Sequence, residues 1–326
     1  MAQAPTIHSV FAPITEDMES VDRAIHSHLA SEVALINTIG GYIVAGGGKR
    51  LRPALLLLVA QALGFRGPQQ HIMAAVVELI HTATLLHDDV VDESSMRRGR
   101  ETSNALFGNS ASVLVGDFLY SRAFQMMVSV GSMRILDILA DATNVIAEGE
   151  VLQLLNMHDP EVDEQRYLQV IRFKTAKLFE AAARIGAVLA DADTNTQEDM
   201  ALAGRSFGTA FQLIDDLLDY SGNSAELGKN IGDDLREGKP TLPLIIAMRQ
   251  GTAVQRTLIE NAIRQGDTSA LDDVMNIVHA CGAMQAVRKA AQSEIRVAER
   301  ALSPLAPSPA RQALLDLCAY SLGRTV

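Results

Sequence analysis

The chain has 326 residues, with 39 acidic against 28 basic side chains and a formal net charge of −11. Such an excess of acid argues against nucleic acid as the main partner, because phosphate backbones are gripped by surplus Lys and Arg. Only two cysteines occur, Cys281 and Cys318, which excludes a disulfide framework or a four-cysteine zinc site and points to a reducing compartment.

Hydrophobic residues make up 48% of the chain, yet aromatics only 4% and Trp is absent, so the core must be built from Ala, Leu, Ile, Val and Met. Those residues, Ala, Leu and Met above all, favour helices, and strand-type runs of Val, Thr and Tyr are hard to find. The opening stretch, Met1 to His8, has no basic segment followed by an apolar one. The longest apolar run, Pro53 to Leu63, is interrupted by Gln61 and falls well short of the roughly 20 residues of a membrane-spanning helix. A soluble, cytoplasmic protein is expected.

Taken in order, the chain first offers Gly46-Gly47-Gly48-Lys49-Arg50-Leu51-Arg52-Pro53, a glycine turn with basic residues that opens the apolar run. It is not a Walker A loop: Ile43 stands where the first glycine belongs, and Arg50 follows Lys49 where Ser or Thr is needed. Lys49 and Arg52 read instead as a phosphate clamp at a helix start, although solvated turn residues would look the same. After a break at Gly64 to Pro68, Leu79, Ile80, Ala83, Leu86 and Val90 recur at helical spacing. That helix runs into His87-Asp88-Asp89-Val90-Val91-Asp92. Glu93 to Ser112, including Met96-Arg97-Arg98-Gly99, reads as loop.

A break at His158 to Pro160 precedes Phe173-Lys174-Thr175-Ala176-Lys177, a lysine and a hydroxyl inside an apolar helix. A further break spans Asp191 to Thr196, and Thr196 to Asp199 has capping-box form, so a helix is expected to begin there. Its apolar face includes Leu213, Ile214, Leu217 and Leu218, and it carries Gln212 and the second acidic run, Asp215-Asp216-Leu217-Leu218-Asp219. Ser221 to Pro243 follows as punctuation, with Gly228-Lys229-Asn230 and Glu237-Gly238-Lys239-Pro240. Leu258, Ile259, Ala262 and Ile263 mark another helix, and Ser303 to Pro309 a last break. Nothing divides the chain into separate units, so one all-α domain over 1–326, a large bundle of some ten to thirteen helices, is expected.

Two Asp-Asp-x-x-Asp motifs would seldom arise in one chain by chance. On a helix, Asp88 and Asp92 project from one face with Asp89 beside them. Carboxylates so close repel unless a cation sits among them, and hard oxygens at this density suit Mg²⁺. Magnesium commonly bridges one or two carboxylates to substrate phosphates, so two facing clusters would hold one diphosphate. The plain alternative is a pair of solvated acidic helix ends.

Together these stretches resemble the trans-isoprenyl diphosphate synthases over nearly the whole chain, and within that family its octaprenyl-forming bacterial members. The residues carrying the resemblance are Gly48 to Pro53, Leu86 to Asp92 with Arg97-Arg98-Gly99, Gly208 to Asp216, and Gly228 to Thr241. The resemblance implies the isoprenoid-synthase helical bundle with a central active-site cavity, and a homodimer. It implies Mg²⁺, three ions with substrate bound, on Asp88, Asp92 and Asp215, with Asp89, Asp216 and Asp219 close by. Arg97, Lys174, Lys229 and Lys239 would be cations for the allylic diphosphate, farnesyl diphosphate being the expected primer. Thr175 and Gln212 would lie near the reacting carbons. Lys49, Arg52, His81 and Arg98 would hold the diphosphate of isopentenyl diphosphate.

The resemblance also places a product tunnel below the first motif. Short-chain relatives block it with an aromatic residue four or five positions before the first Asp; here those positions are Thr84 and Ala83, both small. Elongation to about eight isoprene units is therefore expected, with geranylgeranyl, seven or nine units as alternatives. Met126 or Met127 would be the floor, and Phe at Ala83 would shorten the product. A His-Asp metal phosphohydrolase is suggested by His81 and His87-Asp88, but leaves the second acidic motif and both basic clusters unexplained. A terpene cyclase needs no second diphosphate site, and a non-catalytic partner subunit would be expected to have lost one motif.

Overall fold

The computed structural model describes residues 5–97, 99–221 and 231–324. Helices dominate them, as the composition requires. The long ones are Thr15–Leu29, Ala34–Ala45, Leu51–Ala62, Pro68–Val91, Asn109–Val130, Met133–Asn156, Lys177–Leu189, Thr194–Leu218, Ala253–Gln265, Ala283–Leu302 and Pro309–Gly323. Among the described residues, strand structure is confined to one two-residue hairpin, Met96–Arg97 against Arg100–Glu101. Glu93 to Ser112 is accordingly more structured than expected, for the Ser103–Phe107 helix follows the hairpin and the next helix opens at Asn109.

Local chemistry sets the helix starts. Pro68 and Pro309 occupy first-turn positions, where a missing N–H costs nothing. Ser308 accepts a hydrogen bond from the Arg311 amide, Asp163 from Arg166, and Thr252 forms a capping box with Gln255. The long helix ending in the second acidic run starts at Thr194 rather than at Thr196. Asp193 accepts from the Thr196 amide, and a carboxylate at the cap position satisfies the free amides and the helix dipole together.

The core is continuous from Val10 to Cys318. Leu56, Leu57 and Leu58 are wholly buried, so the middle of Leu51–Ala62 is covered on every side and sits inside the bundle. Truncating Leu57 to Ala would cost about 2–5 kcal/mol. Thr194–Leu218 packs between Lys177–Leu189 and Ala283–Leu302, and Pro68–Val91 packs along Asn109–Val130. Contact with the Lys177–Leu189 side is close because Gly204 and Gly208 stand one turn apart; a Cβ at Gly208 would lie 2.7 Å from the Ala176 Cα.

A π-helical turn, Arg172–Ala176, interrupts the run from Glu164–Ile171 into Lys177–Leu189. It presses against Met133–Asn156 at Gly149, where a Cβ would come within 2.6 Å of the Lys174 amide nitrogen. Such turns widen the helix by one residue and often occur at functional sites. Here the widening brings Lys174 and Thr175 onto the rim of a cleft. The two helices bearing the acidic runs, Pro68–Val91 and Thr194–Leu218, end on either side of that cleft.

Candidate active site

Each acidic run closes its helix in the same way. Pro68–Val91 has Asp92 as its C-terminal cap, and Thr194–Leu218 has Asp219. Toward the end of the first helix the partly accessible residues include His81, Thr84, Leu85, His87, Asp88 and Asp92, whereas Ala83 and Asp89 are buried. His81, Thr84 and Asp88 thus form one stripe three and four residues apart. On the second helix the corresponding stripe is Phe211, Gln212 and Asp215, with Asp216 and Asp219 buried.

The π turn joins the two stripes. Lys174 Nζ is 3.4 Å from Asp88, while the hydroxyl of the next residue, Thr175, donates to Gln212 Oε1 at 3.1 Å. Gln212 in turn donates to Asp216 Oδ1 at 2.6 Å, and the Tyr167 hydroxyl donates to Asp216 Oδ2 at 2.5 Å. Lys239 Nζ approaches Asp92 to 2.9 Å and also pairs with Glu237. Its segment is pinned by His158, whose amide donates to the Gly238 carbonyl at 2.8 Å.

Opposite these pairs lies the basic turn. The Arg52 guanidinium stacks 4.3 Å from the Phe179 ring centre, and Lys49 Nζ lies 5.9 Å from that of Phe211. Phe179, Phe207 and Phe211 form one aromatic cluster beneath them. Arg324, just after the Pro309–Gly323 helix, stacks on Phe211 from 4.6 Å and pairs with Asp215.

The electrostatics separate the aspartates. Burial pushes Asp92 upward, but Lys239 and Lys174 outweigh it and hold the carboxyl below its ordinary value. Burial wins at Asp89, whose carboxyl is raised although Arg97 Nε bonds it at 2.7 Å. Asp216 is pushed up to about 7 by burial and then by the charge of Asp234. Lys174 suffers a burial penalty, overcome by Asp88 and Glu150, which keep it protonated.

Of the residues singled out in the sequence, Asp88, Asp92, Lys174, Thr175, Gln212, Asp215, Asp216 and Lys239 converge on this cleft, with Lys49, Arg52 and His81 at its edge. Arg97 differs: its Nε engages Asp89, which leaves only the rest of the guanidinium for an anion. Met126 is buried, as is Ala83, and Thr84 is the more accessible of the two small residues. Arg98 and Lys229 lie outside the described residues. His87 turns away from Asp88, placing Nε2 3.2 Å from the Val113 carbonyl and 3.4 Å from Asp117. That orientation removes the His-Asp pairing on which a phosphohydrolase would rest.

Sequence reasoning missed Glu150, Tyr167, Glu237 and Arg324. Glu150 carries no local signal beyond following a glycine, and Tyr167 reads as an ordinary core aromatic. Glu237 sits two residues before Lys239 and could have been taken as its partner. Arg324 is far from the cleft in sequence, and only the fold brings it back.

Among the described residues no three acidic, His or Cys side chains are near enough to grip a metal ion as they stand. Asp88, Asp92 and Asp215 are each balanced by a basic group, from Lys174, Lys239 and Arg324 respectively. All three are hard oxygen donors at positions already built for a positive charge, so the donor set fits Mg²⁺.

Residues 33–281 match the polyprenyl synthetase family. The chain is 53% identical over 310 residues to octaprenyl diphosphate synthase of Escherichia coli (strain K12), spanning 95% of this chain and 96% of that one. It is 46% identical over 316 residues to an all-trans-nonaprenyl-diphosphate synthase of Rhodobacter capsulatus, covering 97% of each. A polyprenyl synthase from Caulobacter crescentus, solved with calcium and isoprenyl diphosphate, superposes with a TM-score of 0.95 at 41% identity, covering 99% of both chains.

Proposed function

The chain belongs to the polyprenyl synthetase family, and on that premise we propose that it is an all-trans octaprenyl diphosphate synthase. It is a prenyltransferase that condenses an allylic diphosphate with successive isopentenyl diphosphates. The observation that carries this reading is the π turn. Adjacent residues, Lys174 and Thr175, touch the Asp88 and Gln212 stripes, so one diphosphate and the carbon it leaves face both acidic runs at once.

Magnesium on Asp88, Asp92 and Asp215, three ions with substrate bound, would neutralise the allylic diphosphate and make it a better leaving group. Lys174 and Lys239 supply fixed positive charge to the same diphosphate, with Lys229 and the free edge of Arg97 as further donors. Lys49, Arg52 and His81 hold isopentenyl diphosphate across the cleft, with Arg98, outside the described residues, proposed as a further cation for it. Its double bond attacks the allylic carbon, and the departing pyrophosphate takes the proton that is lost. Thr175 and Gln212, tied together beside the reacting carbons, are held by the Asp216–Tyr167 network. The aromatic floor of Phe179 and Phe211 keeps water from quenching the cation.

Growth beyond short products is supported by Thr84, a small residue one turn, about 5.4 Å, before Asp88 on the accessible stripe. Met126 closes the path further down. Identity to an octaprenyl synthase exceeds that to a nonaprenyl synthase, which supports eight units. Farnesyl diphosphate fits as primer, the whole of 1–326 works as one domain, and the cytoplasm is the proposed location. No helix among the described residues is long and apolar enough to cross a membrane.

A homodimer is supported by an exposed apolar face on consecutive helices: Leu114 and Val128 on one, Met133, Val151, Leu154 and Leu155 on the next. Val151, Leu154 and Leu155 share one helical face, and a patch of this kind marks an interface.

The test is incubation of purified protein with farnesyl diphosphate, labelled isopentenyl diphosphate and Mg²⁺, followed by dephosphorylation and sizing of the alcohols. Octaprenol dominates, and chelation abolishes it. A C15–C20 product overturns the length, and absence of any prenyl product overturns the reading.

A further inference from the structure

Lys174 has two carboxylate partners, and the nearer is not the aspartate. Its Nζ is 2.5 Å from Glu150 Oε2 and 3.4 Å from Asp88 Oδ2. The three side chains are largely withdrawn from water, exposed to 17%, 31% and 15% for Lys174, Glu150 and Asp88. An ammonium has three donors, so these two contacts leave one for an incoming phosphate. The same arrangement recurs one turn further along the first helix, where Lys239 lies between Asp92 and Glu237. Each aspartate of the first motif that faces the cleft therefore shares its lysine with a glutamate from another segment.

The geometry points to Glu150 as a positioning residue that draws Lys174 off Asp88 and so leaves the Asp88 lone pairs available to the cation that accompanies a diphosphate. The inference rests on the proposed function, which makes Asp88 a metal ligand and Lys174 a diphosphate cation. Local structure supports it. Gly149 lets the π turn approach closely, and the residue after that glycine is the one whose carboxylate meets the lysine. Burial and the charge of Asp88 push the Glu150 carboxyl up to about 7, against the lowering pull of Lys174, so this acid sits close to its titration range in the ligand-free cleft.

With Glu150 neutral, Lys174 has one carboxylate left and swings onto Asp88, where it competes with metal. With Lys174 also removed there is nothing for Glu150 to hold. The experiment is a double-mutant cycle of Glu150→Gln and Lys174→Gln, read as binding of Mn²⁺ in the presence of inorganic pyrophosphate, by calorimetry or paramagnetic resonance. In the wild-type background, Glu150→Gln weakens binding about tenfold, as expected for a charge-assisted contact. In the Lys174→Gln background the same change costs less than about twofold. Glu150→Asp, which keeps the charge, stays within about threefold of wild type.

An equal loss in both backgrounds means that Glu150 acts through its own field and overturns the inference. So does a lowered melting temperature with unchanged binding, which is a purely structural role. Asp88→Ala serves as the reference. If it too leaves binding unchanged, the assignment of Asp88 to the metal has failed, not only the role of Glu150.

Discussion

The two acidic runs have the same Asp-Asp-x-x-Asp sequence and end their helices at the same position, yet they present different chemistry. In the first, Asp88 and Asp92 both face the cleft and both meet a lysine. In the second, only Asp215 is accessible; Asp219 is buried and accepts the Asp234 amide at 3.1 Å. The middle residues also differ. Asp89 is neutralised by Arg97, whereas Asp216 is held by two uncharged donors, Tyr167 and Gln212. Identical spacing thus turns two lysine-paired carboxylates toward the cleft on one wall and one on the other, because Asp92 meets the Lys239 ammonium while Asp219 is buried against the backbone of Asp234.

The largest expected effect divides those two final positions. Asp88→Ala, Asp92→Ala and Asp215→Ala should each lower kcat/KM by at least about a hundredfold, the scale of several kcal/mol for a lost charge-stabilising ligand. Asp219→Ala should act mainly on stability, costing about 1–3 kcal/mol by removing a buried carboxylate and the acceptor of the partly buried Asp234 amide. Steady-state kinetics beside thermal melts would show it, and an equal kinetic loss at Asp219 would erase the distinction between the walls.

The next test sharpens the first wall. Thr84→Phe should shift the product to shorter chains with little loss of stability, since Thr84 is partly accessible. Ala83→Phe should also shorten the product but must overpack a wholly buried site, at about 1–3 kcal/mol. Chromatographic sizing and melting temperatures separate the two; an unchanged product in both variants removes the tunnel from this wall. Away from the cleft, Leu155→Glu should convert the proposed dimer to monomer in sedimentation, because it places a charge in the proposed interface.

On the second wall, the raised carboxyl of Asp216 gives a pH signature. A group pushed from 3.8 up to about 7 on folding favours the folded state below its ordinary value, and that contribution is lost as pH rises through about 7. Its share of stability in the metal-free protein should therefore decline between about pH 4 and about pH 7. Asp216→Asn should flatten that decline in melts across the range, and an unaltered slope would refute the shift. Asp92, held low, has the opposite sign and loses its contribution only as pH falls below its ordinary value. The smallest effect is at Arg324. Freeing Asp215 with Arg324→Gln should lower the Mg²⁺ concentration for half-maximal activity by a few-fold, the scale of a partly exposed ion pair.

Much of the site was legible because chemistry and spacing coincide on single helices. Asp88 with Asp92, and Gln212 with Asp215 and Asp216, lie within a turn or two, and periodicity alone puts them on shared faces. The glycine turn before Arg52 and the lysine in an apolar run were visible as anomalies of composition. Helix starts were less legible: Thr196 had the pattern of a cap, but Asp193 offered the better acceptor. Ala83 and Thr84 are equivalent as letters, and only their places in the helix packing distinguish them.

The sequence by itself determined an all-helical fold, two acidic helix ends and the basic groups that accompany them, since these follow from periodicity, propensity and charge over short distances. Which aspartates stay open, where the π turn places Lys174 against Glu150, and the return of Arg324 to Asp215 were decided by tertiary structure. Those pairings span from 24 to 147 residues where hydrogen bonds tie Lys174 to Glu150 and Lys239 to Asp92. No local rule reaches that far, and burial together with a partner from another helix sets both the charge and the reach of each carboxylate.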